Sequence, residues 1–173
     1  MTRFFILILC FLSSNCFSQQ YISNNGKITF FSYAPIEDIK AENKKVSAVY
    51  DFSTNEIVFQ LYISDFNFRK KLMQTHFNEN YLESDKYPKS TFVGKVTELK
   101  EGNAKVQGML SIHGITKEIE VSGTLIKKKD VVNILSEFKI KLDDFNILIP
   151  KIVMYKIAEV ILVNIDIELK LTK

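Results

Sequence analysis

From Ile28 onward apolar side chains recur at every second position, the period of strands with one buried and one wet face. Ile57, Phe59, Leu61 and Ile63 share a face, with Gln60 and Tyr62 opposite. Ala104, Val106, Leu110 and Ile112 alternate with Lys105, Gln107, Met109 and Ser111, and Ile119, Val121 and Leu125 with Glu118, Glu120, Ser122 and Thr124. Ile134, Phe138, Ile140 and Leu142 alternate with Leu135, Glu137, Lys139 and Lys141. Near the C-terminus Ile161, Val163, Ile165, Ile167 and Leu169 face away from Leu162, Asn164, Asp166 and Glu168. Turn signals separate these runs at Asn24-Asn25-Gly26, Ser53-Thr54-Asn55, Glu101-Gly102-Asn103, His113-Gly114 and Lys129-Asp130. Such short connections predict antiparallel neighbours joined by hairpins, since parallel strands need long crossovers. The fold class is all-β: about eight strands whose exposed edges are removed by closure into a barrel.

One stretch breaks the alternation. Between Phe66 and Tyr87, Phe68, Leu72 and His76 lie one helical turn apart, as do Met73 and Phe77. That spacing predicts a short helical insertion over Arg69 to Asn78 with its aromatic residues turned inward. Pro88 ends it and returns the chain to an extended path through Thr91 and Phe92.

The first residues bear on the compartment. Arg3 precedes an apolar run from Phe4 to Leu12, followed by Ser13, Ser14, Asn15 and Cys16. This is the layout of a signal peptide, and the run falls short of the roughly 20 residues that span a bilayer. Cys16 and Ser18 suit a cut that makes residues 1–18 the leader and Gln19 the mature start; a lipid-modified Cys16 is the alternative. Export to the periplasm or outside the cell is the expectation. Both cysteines, Cys10 and Cys16, fall in that leader, so the single domain expected at 19–173 carries no disulfide and relies on its own core. Losing Arg3 lowers the formal charge from +3 to +2, too little for the concentrated basic face that nucleic acid requires. Lys127, Lys128 and Lys129 run together, but Asp130, Val131 and Val132 follow, which reads as a hairpin turn rather than a membrane contact.

Candidate chemistry is sparse. Phe30, Phe31, Phe52, Phe59, Phe66, Phe68, Phe77, Phe92 and Phe138 could fill a solid core or line an apolar tunnel, and alternation alone does not separate the two. The histidines are His76 and His113; with an acid such as Glu83 or Asp85 they could at most make a two-histidine metal site. His76 reads better as part of the insertion helix, and His113 as a turn residue before Gly114 bonding local backbone. No Gly-x-Ser-x-Gly nucleophile motif occurs, the glycines are scattered singly, and Asp143-Asp144 reads as a solvated turn. No catalytic set and no cofactor are indicated.

Two motifs carry a family resemblance. The stretch from His76 to Phe92, containing Ser84-Asp85-Lys86-Tyr87-Pro88-Lys89-Ser90-Thr91-Phe92, and the stretch Gly108-Met109-Leu110-Ser111-Ile112-His113-Gly114-Ile115-Thr116-Lys117 closely resemble the YceI-like polyisoprenoid-binding family. There a His-containing segment leads through Ser-x-x-Tyr/Phe-Pro-x-x-x-Phe into a strand, and a later strand ends in Leu-Thr-Ile-His-Gly-Val-Thr-Lys. The resemblance runs from Asn25 to Leu171. Two stretches depart from it: the opening region around Pro35-Ile36-Glu37-Asp38, and Ile147 to Met154, which replaces a glycine-bearing loop and bears on ligand length and on the shape of the mouth.

The resemblance implies an extended antiparallel lipocalin-like β-barrel that encloses an isoprenoid or other long-chain lipid as a carrier, store or sensor, and is not an enzyme. On that reading Phe59, Leu61, Phe92, Leu110, Ile112, Val121, Phe138, Ile140 and Ile165 touch the tail, and Phe68, Leu72, Met73 and Phe77 close one end. His76, Tyr87 and His113 are the polar residues near a head group. Transient membrane contact and a homodimer stay open as partners. Two other readings remain at this stage: a solid-cored barrel acting as a periplasmic interaction or stress-response module, and a metal-assisted hydrolase using His76 and His113.

Overall fold

The computed structural model describes residues 19–33, 38–149 and 157–172. The leader with Cys10 and Cys16, the Pro35-Ile36-Glu37 stretch and the segment from Pro150 to Met154 lie outside the described residues. The strands are β1 (Gln20–Ser32), β2 (Ile39–Asp51), β3 (Glu56–Tyr62), β4 (Asn67–Phe68), β5 (Lys89–Lys100), β6 (Asn103–Ile112), β7 (Ile115–Lys128), β8 (Val131–Lys141) and β9 (Val160–Leu171). Their order is β1-β9-β8-β7-β6-β5-β3-β2, every pairing is antiparallel, and β2 pairs back onto β1. Eight strands therefore close a ring, and the two-residue β4 adds to β2 through Ala41–Phe68 and Glu42–Asn67.

The period of two in the sequence becomes the inner and outer faces of this wall. In β3, Ile57, Phe59 and Leu61 are buried while Glu56, Val58 and Tyr62 are exposed. Two hairpins turn in two residues with both φ values positive: Glu101 (53°) with Gly102 (84°), and His113 (51°) with Gly114 (75°). These mirror-image turns match the right-handed twist of the flanking strands, and glycine takes the second position at no steric cost. Lys127 stays within β7, its ammonium over the ring of Phe52 at 4.1 Å, and the turn falls at Lys129 and Asp130.

Asn24-Asn25-Gly26, expected to be a turn, is not one. β1 runs straight through it, and the extra residues appear as register shifts against β2 between Ser23 and Gly26 and between Gly26 and Ile28. Bulges of this kind add curvature to a wall that must close on itself. Glycine is needed for space: a Cβ on Gly26 would sit 2.7 Å from Cγ1 of the buried Ile167.

The barrel's two ends are built differently. At the base, beside the turns around residues 53, 102 and 130, Tyr21, Tyr50, Val132 and Leu169 are at most 1% exposed and pack the bore shut. Burial pushes the Tyr50 phenol above its ordinary range, with the Asp51 carboxylate adding to the shift, and its hydroxyl donates to Asn55 Oδ1 at 3.1 Å. At the other end the insertion between β3 and β5 folds over the opening. Its helix, α1 (Lys71–His76), is shorter than the expected Arg69 to Asn78, because the chain widens into a π-helical turn at Phe77–Tyr81.

The Gly26 contact leads to a stability prediction. Gly26→Val overpacks the site against Ile167 and should destabilise the fold by about 1–3 kcal/mol. Urea unfolding with an unchanged midpoint would show that the bulge has room for a side chain.

Candidate functional site

Above the packed base the barrel is hollow. A cavity of about 620 Å³ runs between β1, β3 and β5–β9, floored by Ile57, Ala104, Leu125 and Ile134. It falls within the roughly 300–1,000 Å³ of sites that enclose a small molecule. Inward residues around it, among them Val106, Ile119, Val121, Phe138 and Ile165, are only half-buried although they point to the axis, because they face space instead of one another. Alternation had left a solid core and a tunnel equally open; the base is the first and the mouth half is the second.

Aromatic rings from three segments build the mouth. Phe30 of β1 stacks on Phe77 with centroids 5.5 Å apart and meets Phe66 edge-on at 5.3 Å, while Phe68 lies 4.9 Å from Phe77. Offset and edge-to-face contacts of this kind hold an apolar lid in shape without filling the bore. Leu72 borders the cavity yet is 66% exposed, which places α1 at the rim, with Met73 and His76 also lining the opening.

Most of the residues expected at the site are therefore brought together. Phe59, Leu61, Phe68, Leu72, Met73, His76, Phe77, Phe92, Leu110, Ile112, Val121, Phe138, Ile140 and Ile165 all line the cavity. Tyr87 and His113 do not. Instead of bonding local backbone near a head group, His113 forms a separate latch: its Nε2 lies 2.8 Å from Glu83 Oε2, its Nδ1 lies 3.2 Å from the carbonyl oxygen of Phe145, and the Tyr87 ring packs edge-on at 4.6 Å. Both ring nitrogens face oxygen acceptors, and the side chain is 10% exposed. The imidazole thus ties the insertion and the segment after β8 to the β6–β7 turn. A Cβ on Gly114 would run into the Tyr87 ring, so the His-Gly pair is shaped by this packing as well as by the turn.

Lining residues that the sequence reading did not assign to the site are chiefly Phe30, Phe66 and Tyr81, together with Ile147, Ile149 and Ile157 from the β8–β9 connection. Phe30 could have been found, since Ile28, Phe30 and Ser32 share a face of β1. The isoleucines lie outside any strand, where no period marks their direction.

The chemistry on offer is that of a hydrocarbon surface. Among the described lining residues the titratable ones are Lys70, His76 and Tyr81, all on the insertion. Ser32 accepts the Ala158 N–H at 2.8 Å, and Ser90 donates to the Ser111 carbonyl at 2.9 Å, so both hydroxyls serve the wall. His76 borders the cavity and His113 does not, and no cluster of three or more metal-ligating side chains occurs among the described residues. Asp143 and Asp144 sit in a 3-10 turn at Leu142–Phe145, where Asp144 accepts from Lys117 Nζ at 2.9 Å.

A family profile, the YceI-like domain, matches residues 21–169. The chain belongs to the YceI-like domain family. Its barrel superposes on solved structures with little sequence in common. A polyisoprenoid-binding domain from Saccharophagus degradans implicated in plant cell wall breakdown is 12% identical, with a TM-score of 0.76 over 90% of this chain and 99% of that one. BcnA of Burkholderia cenocepacia is 17% identical, with a TM-score of 0.74 over 83% and 95%. The YceI protein of Campylobacter jejuni is 23% identical, with a TM-score of 0.67 over 82% and 89%. No curated protein sequence matches significantly. At these identities the likeness establishes the YceI-like barrel itself.

The latch generates a prediction of its own. His113→Ala removes both bonds from a mostly buried ring and leaves the Phe145 carbonyl without its partner, which should cost about 1–3 kcal/mol. Hydrogen exchange should rise in the segment from Leu82 to Tyr87; protection there equal to wild type would mean that the insertion is held by its aromatic contacts alone.

Proposed function

We propose that this YceI-like protein is an exported binder of a long apolar lipid, with an isoprenoid or comparable tail, and that it acts by enclosure and not by catalysis. One observation carries the reading: an apolar lumen of about 620 Å³, floored by a packed base and rimmed by the insertion. Burying each methylene contributes roughly 0.8 kcal/mol, so several isoprene units can offset an association cost of about 4–15 kcal/mol. The polyisoprenoid-binding description of the Saccharophagus degradans relative supports the choice of ligand.

The titratable side chains that line the lumen all lie on the insertion at the rim, which suits a molecule with one polar end. On this reading the tail lies against Phe59, Phe92, Leu110 and Phe138, and the head group stays near Lys70 and His76. Tyr87 and His113 lose the head-group role and become structural. The leader pattern at residues 1–18 supports export to the periplasm or beyond.

Two measurements test this. Organic extraction of natively purified protein, followed by mass spectrometry, should recover a long-chain lipid; repeated recovery of protein without one sinks the proposal. Val106→Trp fills the lumen from a half-buried inward position, so tail binding should weaken tenfold or more, a step of about 1.4 kcal/mol. Stability should move by less than about 1.5 kcal/mol, because the ring enters space instead of packed side chains. A variant that unfolds would instead support a solid core.

A further inference from the structure

The barrel wall is incomplete at one seam. β8 pairs with β9 along its whole length, from Val131–Lys170 to Lys141–Val160, but with β7 only from Val131–Lys128 to Ser136–Gly123. Beyond that vertex Ile115 to Ser122 of β7 keep ladder pairing only with β6, and Glu137 to Lys141 of β8 only with β9. The two strands fork, and a cleft lies between them that is lined by Lys117, Glu118, Glu120, Lys139, Lys141 and Asp144 on its polar side. Leu110, Ile119, Val121, Phe138 and Ile140 line both this cleft and the main lumen, so the fork opens sideways into the hydrocarbon site.

The sequence along the fork is written for a closed ladder. In the paired part each partner sum is constant, from Lys128–Val131 to Gly123–Ser136. Carried past the vertex, the same register sets Val121 against Phe138 and Ile119 against Ile140 on the inner face, and Glu120 against Lys139 and Glu118 against Lys141 on the outer face. Apolar residues would meet inside, and opposite charges would meet outside, the pairing that stabilises adjacent antiparallel strands. Ser136 Oγ donates to the Ser122 carbonyl at 2.8 Å just beyond the vertex, and Lys117 meets Asp144 at 2.9 Å at the open end. Gly123 lets the strands approach at the vertex, where a Cβ would collide with the Leu135 carbonyl oxygen.

Elsewhere a break in the ladder is sealed. β2 leaves β3 after Ser47–Gln60, and there the fully buried Asn43 donates through Nδ2 to the Tyr62 carbonyl at 2.9 Å while β4 covers the rest. No such plug occupies the β7–β8 fork among the described residues. We propose that the fork is the lateral doorway for the hydrocarbon chain: it admits the tail sideways into the lumen and zips in the Glu120–Lys139, Glu118–Lys141 register behind it. This rests on the lipid-binding reading of the lumen.

The test uses Glu120→Cys with Lys139→Cys in protein expressed from the full chain, where residues 19–173 contain no other cysteine. Oxidation should link the two positions, as read by peptide mapping. Uptake and release of farnesol carrying a fluorescent anthraniloyl group should then slow by roughly tenfold or more, about 1.4 kcal/mol in barrier, and recover on reduction. Lys95→Cys with Gln107→Cys, which bridges the already paired β5 and β6, should crosslink without changing exchange. Glu120→Lys should speed release, and adding Lys139→Glu should restore it. Failure of the 120–139 disulfide to form, or exchange as fast when linked as when reduced, overturns the doorway. If uncrosslinked protein takes up no probe, the lipid reading falls and the doorway with it, while disulfide yield still decides whether the strands meet.

Discussion

Main-chain hydrogen bonding around a closed ring is the constraint on which the rest of this molecule depends. An unpaired strand edge is costly where it is buried and a template for another chain where it is exposed, and the β1–β2 pairing removes the sheet's two outer edges by returning it to its start. Once eight strands close, the bore is set by backbone geometry and not by side chains. A ring of that size can be filled completely or can hold one ligand. Which of the two occurs is decided locally, by the residues aimed at the axis.

This chain is packed along one part of its bore and hollow along the other. Tyr21 and Tyr50 reach across the base, where Val132 and Leu169 complete a packing with no exposed surface. Toward the mouth the inward positions carry Val106, Ile119 and Val121, which are too short to meet across the same width. The base therefore supplies the cohesion that a cysteine-free domain needs, and this leaves the mouth half free to remain open at little cost in stability. Phe66, Phe68 and Phe77 of the insertion then gather against Phe30 of β1 and cover the far end as a cluster of mutually contacting rings.

The wall was legible in the sequence because a period of two is a local property: Phe59, Leu110, Phe138 and Ile165 announce their face within a few residues. The Asn24-Asn25-Gly26 stretch misled because turn composition and bulge composition are the same, and only the distant Ile167 decides between them. Hollowness was not legible, since alternation states which way a side chain points and not what it meets. His113 shows the same limit. Its motif singled it out as a residue near a head group, but its partners Glu83 and Phe145 lie 30 and 32 residues away, and nothing near His113 indicates them. The isoleucines of the β8–β9 connection were missed for a related reason, because outside a strand no period assigns a direction.

The two interruptions of the ladder show how differently a barrel can treat an unpaired edge. Between β2 and β3 the gap falls beside buried side chains, where unpaired backbone is costly, and Asn43 fills it with an amide that satisfies a carbonyl on one side and the Lys45 N–H on the other. Between β7 and β8 the edges carry Glu118, Glu120, Lys139 and Lys141 on their outer face, so water can serve the free groups, and the charged side chains hinder a second chain from pairing there. An edge that only had to stay open could carry a single sign of charge. Acidic residues on β7 facing basic residues on β8, in the register already set at Gly123 and Ser136, instead favour an edge that closes on its own neighbour.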